Sequence, residues 1–430
     1  MNKREWLHIL IKKRGILICL VLLCSTLTVS AEIYYLKDLV NHGLKNSSDI
    51  IKSQNSQLNT RDRHLSNYLN ILPNATYSMS YIMPARVDEY YSSSLSIGKS
   101  IYLNEPTYFD LRRSRLDKKI VSLNHENLEK RTVLQILFAY IDIMQQQKNI
   151  QIIEENFKLQ KRIHDQVRIQ FEKKTKTVYD LQQSQIDTLS TYIQLIELKN
   201  SLYKQREDLF LMIKLNDRGY PLENYEFSII KDFNVEPYSV NKNLTIQSSE
   251  LKLESSRHTL TQQFLNLFPS LYANYSWSAS LANPEFDDTF TKFDDYGESG
   301  TFSVNLSYPL FNQFNQGLNY RIARRNYNIE KRDLKDLNEE TTQQVKQIIS
   351  DIESFKQTYE LYQQRFDLSR ISLQIAEERF VLGIISNLDL DKARMQHLES
   401  EYQLINRFYT LIKRQEELNF ALSDDILGMW

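Results

Sequence analysis

The sequence has 430 residues, 53 Lys+Arg against 54 Asp+Glu, and only 9 Gly and 8 Pro. So few turn formers leave little room for many short strands and tight loops, and they favour long helices. Both cysteines, Cys19 and Cys24, lie near the start and the seven histidines are scattered, which argues against a Cys/His metal site or a cysteine nucleophile.

Residues 1–31 read as a secretory signal peptide. Lys3, Arg4, Lys12, Lys13 and Arg14 precede an apolar run from Ile16 to Leu23, and Val29-Ser30-Ala31 is a small-residue cleavage pattern. Removing these residues takes away five basic residues and Glu5, leaving 48 Lys+Arg against 53 Asp+Glu and no cysteine. Lipid attachment at Cys24 is the rival reading, and Leu23 stands where a small residue is expected. Beyond residue 31 no stretch approaches ~20 consecutive apolar residues, so an α-helical membrane bundle is excluded.

The chain is written twice. Leu69-Asn70-Ile71-Leu72-Pro73 recurs as Leu265-Asn266-Leu267-Phe268-Pro269, a shift in numbering of 196 (265 less 69). Phe171, Thr177 and Asp180-Leu181 recur as Phe380, Ser386 and Asp389-Leu390, a shift of 209 (380 less 171). The difference of 13 (209 less 196) is expected in the acidic segment 282–298, the counterpart of the shorter 84–91. The organisation is a first repeat at 32–215, a linker at 216–233, a second repeat at 234–422 and a tail at 423–430.

Each repeat opens with a polar helix that stops at a proline, which cannot continue it. Two strands follow, at 75–103 and at 271–308. Their alternation has a period of two. Tyr77, Met79, Tyr81 and Met83 oppose Thr76, Ser78 and Ser80; Tyr275 and Trp277 oppose Asn274 and Ser276; Phe302, Val304, Leu306 and Tyr308 oppose Thr301, Ser303, Asn305 and Ser307. A soluble sandwich would also alternate, but its outer face would more often carry Lys and Glu than Ser and Thr. Strands of about 9–11 residues with aromatic ends suit a membrane. In lipid an open sheet edge is forbidden, and four strands cannot close, so a membrane reading requires several copies to share one barrel.

Long helical stretches come next, without Gly or Pro from residue 107 to Phe171 and from 318 to 380. Leu134, Leu137, Ile141 and Met144, and then Ile348, Ile352, Phe355 and Tyr359, form stripes expected to make helix–helix seams. Each stretch breaks once. Thr177 with Asp180, and Ser386 with Asp389, predict a hydroxyl cap with an acid at the third helical position. Gly383 can end the preceding helix in a left-handed conformation, whereas the first repeat has Lys174 there. Two long antiparallel helical hairpins follow, with tips at 172–178 and 381–387.

Glu377-Glu378-Arg379-Phe380-Val381-Leu382-Gly383, then Ser386-Asn387-Leu388-Asp389-Leu390 and Ala393, resembles the tip signature of the TolC family of bacterial outer-membrane efflux proteins. The resemblance covers nearly all of residues 32–422. It implies a mainly α fold with a small β part, in which three chains build an α-barrel of helical hairpins and a shared 12-stranded transmembrane β-barrel. It implies passive conduction across the outer membrane of a Gram-negative bacterium, with most of the chain in the periplasm. Its implied partners are two further copies, outer-membrane lipid, a periplasmic adaptor (membrane fusion protein) and an inner-membrane transporter. The implied aperture residues are Thr177, Asp180, Gly383, Ser386, Asp389 and Asp391, and the implied membrane-facing residues are Tyr77, Tyr81, Tyr275, Trp277, Phe302 and Tyr308. Residues 216–233 and the chain end would form an equatorial belt. Two positions depart from the pattern: Lys392 replaces a second acid of the aperture ring, and Ile385 replaces an arginine of the closed-state lock.

No catalytic, cofactor or metal residues are assigned, and no enzyme activity is expected. Asp287, Asp288, Asp294 and Asp295 read as a solvated outer loop, with a cation site as the alternative. Glu416-Glu417 are neighbours that point apart on a helix, and Trp430 follows a helix and not a strand. Basic residues alternate with acids along the helices, which argues against nucleic acid. The competing readings are a periplasmic adaptor, which carries one hairpin per chain, and a structural coiled-coil stalk, which lacks the helix–proline–strand order.

Overall fold

The computed structural model describes residues 33–83, 90–102, 105–229, 240–283, 297–308, 310, 313–424 and 426. The leader with its cysteines, the four loop aspartates, Leu103, residues 230–239 of the linker region and Trp430 lie outside these residues. The elements are α1 (Leu36–Asn46), α2 (Ser48–Leu69), β1 (Asn74–Ile82), β2 (Tyr90–Tyr102), α3 (Pro106–Glu172) and α4 (Val178–Met212), then α5 (Leu244–Leu265), β3 (Ser270–Asn283), β4 (Gly297–Ser307), α6 (Gln313–Val381) and α7 (Asn387–Leu422). None of the described helices is long and apolar enough to cross a membrane.

The duplication reappears in the element ends. Helices α2 and α5 both have 22 residues, and both of their ends are related by the earlier of the two numbering shifts. Asn70 and Asn266 sit at equivalent C-terminal caps, each N–H reaching the carbonyl four residues back. The starts differ in chemistry: Asn243 accepts the Thr245 and Ile246 N–H groups, whereas Ser47 makes no side-chain cap.

The chain divides into two compact units. One contains Ile136–Ser228 and Ser369–Ile405 with the chain up to Gly43. Its core lies along α3, where Ile136, Leu137, Tyr140, Ile141 and Ile143 are fully buried. Each such side chain contributes about 1.5–3 kcal/mol of transfer free energy. Farther along, Ile150 and Ile153 pack against Leu195 of α4, and Ile152, Leu159 and Ile163 against Leu398 of α7. Serine–histidine hydrogen bonds tie the helices together, His164 to Ser184 at 3.0 Å and Ser369 to His397 at 3.1 Å. Tyr34 bridges to Leu222, and the guanidinium of Arg206 grips both carboxylate oxygens of Asp217 at 2.9 Å. Gly43 lets the helices approach closely, since a Cβ there would meet Ile136 Cδ1, the end of its side chain, at 2.5 Å and Ile213 Cγ2 at 3.1 Å.

The other unit contains Leu44–Gln135, Ile229–Leu368 and the chain from Asn406 on. Val240 and Ile246 pack with Val345, Ile348 and Ile352 of α6 and Leu411 and Leu418 of α7. This unit also carries the sheet, four antiparallel strands in the order β1-β2-β3-β4. Asn74 pairs with Gly98 and Ser270 with Ser307. From Asn74 to Ser270 the numbering keeps the smaller shift, and from Gly98 to Ser307 it has reached the larger one. The extra residues of the second repeat therefore enter within the β3–β4 hairpin, as expected.

Candidate functional site

Two regions carry the chemistry expected from sequence, the hairpin tips in one unit and the sheet in the other.

At the first tip α3 ends at Glu172 and Lys174 takes a left-handed conformation, φ 59°. The Lys174 N–H donates to Phe171 O at 2.8 Å and the Thr175 N–H to Gln170 O at 2.9 Å. At the second tip Gly383 has φ 73°, its N–H donates to Phe380 O at 2.9 Å, and the Ile384 N–H donates to Arg379 O at 2.8 Å. Both are closing turns in which one left-handed residue lets two N–H groups satisfy helix-end carbonyls. Glycine adopts that conformation freely; lysine does so at a cost of about 1–2 kcal/mol. The same device recurs at the far ends of α4 and α7, where Lys214 and Ser423 are left-handed and again occupy equivalent places in the two repeats.

The next helix starts alike in both tips. Asp180 N–H donates to Thr177 Oγ1 at 3.2 Å and the Asp180 carboxylate accepts the Thr177 N–H at 3.0 Å. Ser386 and Asp389 repeat the box at 3.2 and 3.3 Å. The Thr177 N–H and hydroxyl, with Lys176 3.8 Å away, hold the Asp180 carboxyl below the ordinary aspartate range. The Ser386 hydroxyl and N–H do the same for Asp389, helped by Lys392. Caps and tips are therefore assembled from Thr177, Asp180, Gly383, Ser386 and Asp389 together.

Asp391 is placed differently. It is 2 % exposed and lies in the hairpin interior, bonded at 3.2 Å to Arg394, which also reaches Glu377 at 3.5 Å. The exposed surfaces of the two tips also differ. The first presents Lys173, Lys174 and Thr175 beside Val178 and Tyr179 at 53 and 72 % exposure, and the second presents Val381, Leu382 and Ile384 at 84, 73 and 59 % exposure.

In the sheet, the register aligns the two faces across all four strands. Tyr77 stands opposite Leu95, Ile97 opposite Trp277, and Tyr275 opposite Phe302. Tyr81 stacks on Tyr91 with ring centres 4.9 Å apart. Tyr77, Tyr81, Tyr275 and Phe302 are exposed on this apolar face, Trp277 is half-buried, and Tyr308 lies one residue past β4. The other face aligns Ser78 with Ser94 and Ser280, and Thr76 with Ser96, Ser278 and Ser299. Its hydroxyls bond across the strands, Ser78 to Ser94 at 2.7 Å and Ser278 to Ser299 at 3.0 Å. Sequence reading overlooked the Tyr102–Tyr272 pair on this face and the Asp391–Arg394–Glu377 bridge. Tyr102 stands two residues beyond Ser100, hence on the same face, which signalled the first; nothing in the sequence signalled the second.

Residues 239–423 match the family model described as outer membrane efflux protein. No curated protein sequence matches the chain. Among solved structures it is similar to the outer membrane protein VceC of Vibrio cholerae, with TM-score 0.78 and 12 % identity over 91 % of this chain and 96 % of that one. The CmeC outer membrane channel of Campylobacter jejuni gives 0.75 and 16 % over 90 % and 85 %. The open state of the Neisseria gonorrhoeae MtrE outer membrane channel gives 0.75 and 15 % over 90 % and 89 %. The expected fold, helical hairpins joined to four antiparallel strands, is thus the fold found. The second repeat thus matches the outer membrane efflux protein model, and the chain shares the fold of these outer membrane channels along nine-tenths of its length.

Proposed function

We propose that three copies of the chain close into one barrel of twelve strands continued by a helical duct, through which cargo leaves the cell passively. The observation that carries this reading is the sheet itself. It has one apolar face and two outer edges, on β1 and β4, with no partner strand among the described residues. In hydrocarbon such edges must be paired, and pairing β4 of one copy with β1 of the next does so. Four strands per copy give twelve with three copies, within the known range of barrel sizes.

The helices support the same assembly. On α4, Ile186, Leu189, Ile193 and Ile196 repeat at alternating three- and four-residue spacing, and all are about half exposed. On α6, Leu368, Ile371 and Ile375 do likewise. Stripes of that period are the seam of supercoiled helices, and a neighbouring copy covers them. The repeats at 32–215 and 234–422 act as equivalent modules, and the segments at 216–233 and 423–430 make the belt. The exposed tips are where a periplasmic adaptor, and through it an inner-membrane pump, engages; Thr177, Asp180, Gly383, Ser386, Asp389 and Asp391 shape that end.

Cell fractionation with gel analysis tests the assembly. An outer-membrane pellet that yields a trimer band on an unheated gel, collapsing to monomer on heating, is expected. A monomer soluble in the periplasm would overturn it.

A further inference from the structure

The polar face of the sheet is uncharged along its whole described length, from Asn74 to Tyr102 and from Tyr272 to Ser307, and most of its side chains are serine. Among the described residues of this face and its ends, charge enters where β2 gives way to α3. There Glu105 borders an open concavity of about 610 Å³ together with Thr76, Ser96, Ser100, Tyr102 and Asn274 of that face, and Lys99 borders the same concavity. Its two carboxylate oxygens accept the Tyr102 N–H at 3.0 Å and the Thr107 N–H at 3.3 Å. Burial alone would raise its pKa, but those hydrogen bonds, with a smaller contribution from Lys99, hold it below the ordinary glutamate range. Lys99 itself projects on the apolar face of β2, where it donates to Asn70 O.

The repeat shows that a carboxylate is not demanded by the turn. The equivalent residue of the second repeat is Phe314, which is 80 % exposed at the start of α6. Glu105 therefore does something its counterpart does not.

We propose that Glu105 is the charge filter of the strand section of the conduit: three copies form an acidic ring at the helical end of a neutral, hydroxyl-lined bore, favouring cationic over anionic cargo. The proposal rests on the trimeric channel reading, which makes the polar face the lumen. Rings of acidic side chains select cations through the field they set up in the passage they line. The serines add no competing charge, and their small size keeps the bore wide.

Purified protein in planar lipid bilayers under a KCl gradient tests this through the reversal potential. Wild type is expected to prefer potassium. Glu105→Gln and Glu105→Ser, which keep an acceptor for the Thr107 N–H, should lower the potassium-to-chloride permeability ratio by roughly two- to threefold, and Glu105→Lys should lower it further. Glu105→Asp should remain close to wild type. The heat-sensitive trimer band, unchanged in at least one neutral variant, separates a filter from a structural cap. Conductance with an unchanged ratio in the neutral and lysine variants would overturn the filter and leave the channel standing. No conductance from wild-type trimers would overturn both.

Discussion

Lys174 and Gly383 hold the same left-handed position in the two repeats, each closing a long helix with the same pair of backbone hydrogen bonds. Thr177–Asp180 and Ser386–Asp389 then open the following helix with the same cap. Around that shared backbone the side chains diverge. The first tip is lysine-rich, and the second is apolar and braced from within by Asp391, Arg394 and Glu377. The first hairpin has Gln182, Gln185 and Arg168 at those three places. Duplication has kept the turn, which is fixed by backbone geometry, and released the surface, which is free to suit different contacts.

Removing the brace should separate the tips most. Arg394→Ala leaves Asp391 buried without its ionic partner and should cost roughly 2–3 kcal/mol, less than a fully buried pair because Arg394 keeps 29 % of its side-chain exposure. The matched change Gln185→Ala should cost under about 0.5 kcal/mol. Guanidinium unfolding in detergent reads both, and equal effects would erase the distinction. Next comes the closing turn. Gly383→Val should cost about 2 kcal/mol by backbone strain, since no atom lies within 4 Å of the added Cβ. Lys174→Gly should gain about 1 kcal/mol at the other tip. Normal stability in the valine variant would refute the left-handed assignment.

The caps should behave as equals. Thr177→Ala and Ser386→Ala each lose a side-chain acceptor and should each cost about 1 kcal/mol. A difference well beyond that would show that one tip leans on its cap more than the other. The smallest effect is electrostatic. Asp180 and Asp389 titrate below their unfolded value near 3.9, so the stability they contribute is complete above that pH and disappears as pH falls through their native pKa values. Thr177→Ala and Ser386→Ala should accordingly lie closer to wild type at about pH 3 than at pH 7.

Much of this was legible beforehand, for physical reasons. Period-two alternation revealed both faces of every strand, because a pleated strand cannot present its side chains otherwise. The caps were legible because Thr177 and Ser386 lie three residues before an acid. The left-handed Lys174 was not, because lysine has no preference for that conformation and only the hydrogen bonds of its turn impose it. The burial of Asp391 was equally hidden. Asp389 and Asp391 read alike in sequence, yet two positions on a helix point to different sides, and only packing decides which is inside. The joining of β2 to β3 was also beyond local signals, since Tyr102 meets Tyr272 only after the chain has run through α3, α4 and α5.

The bare outer borders of β1 and β4 have a consequence for biogenesis. On the proposed assembly, a copy not yet joined to its neighbours carries two edge ladders with no partner strand among the described residues and an apolar flank, the combination that seeds aggregation. Overproduction that outruns the joining of copies should then give insoluble material, while the joined copies remain soluble in detergent.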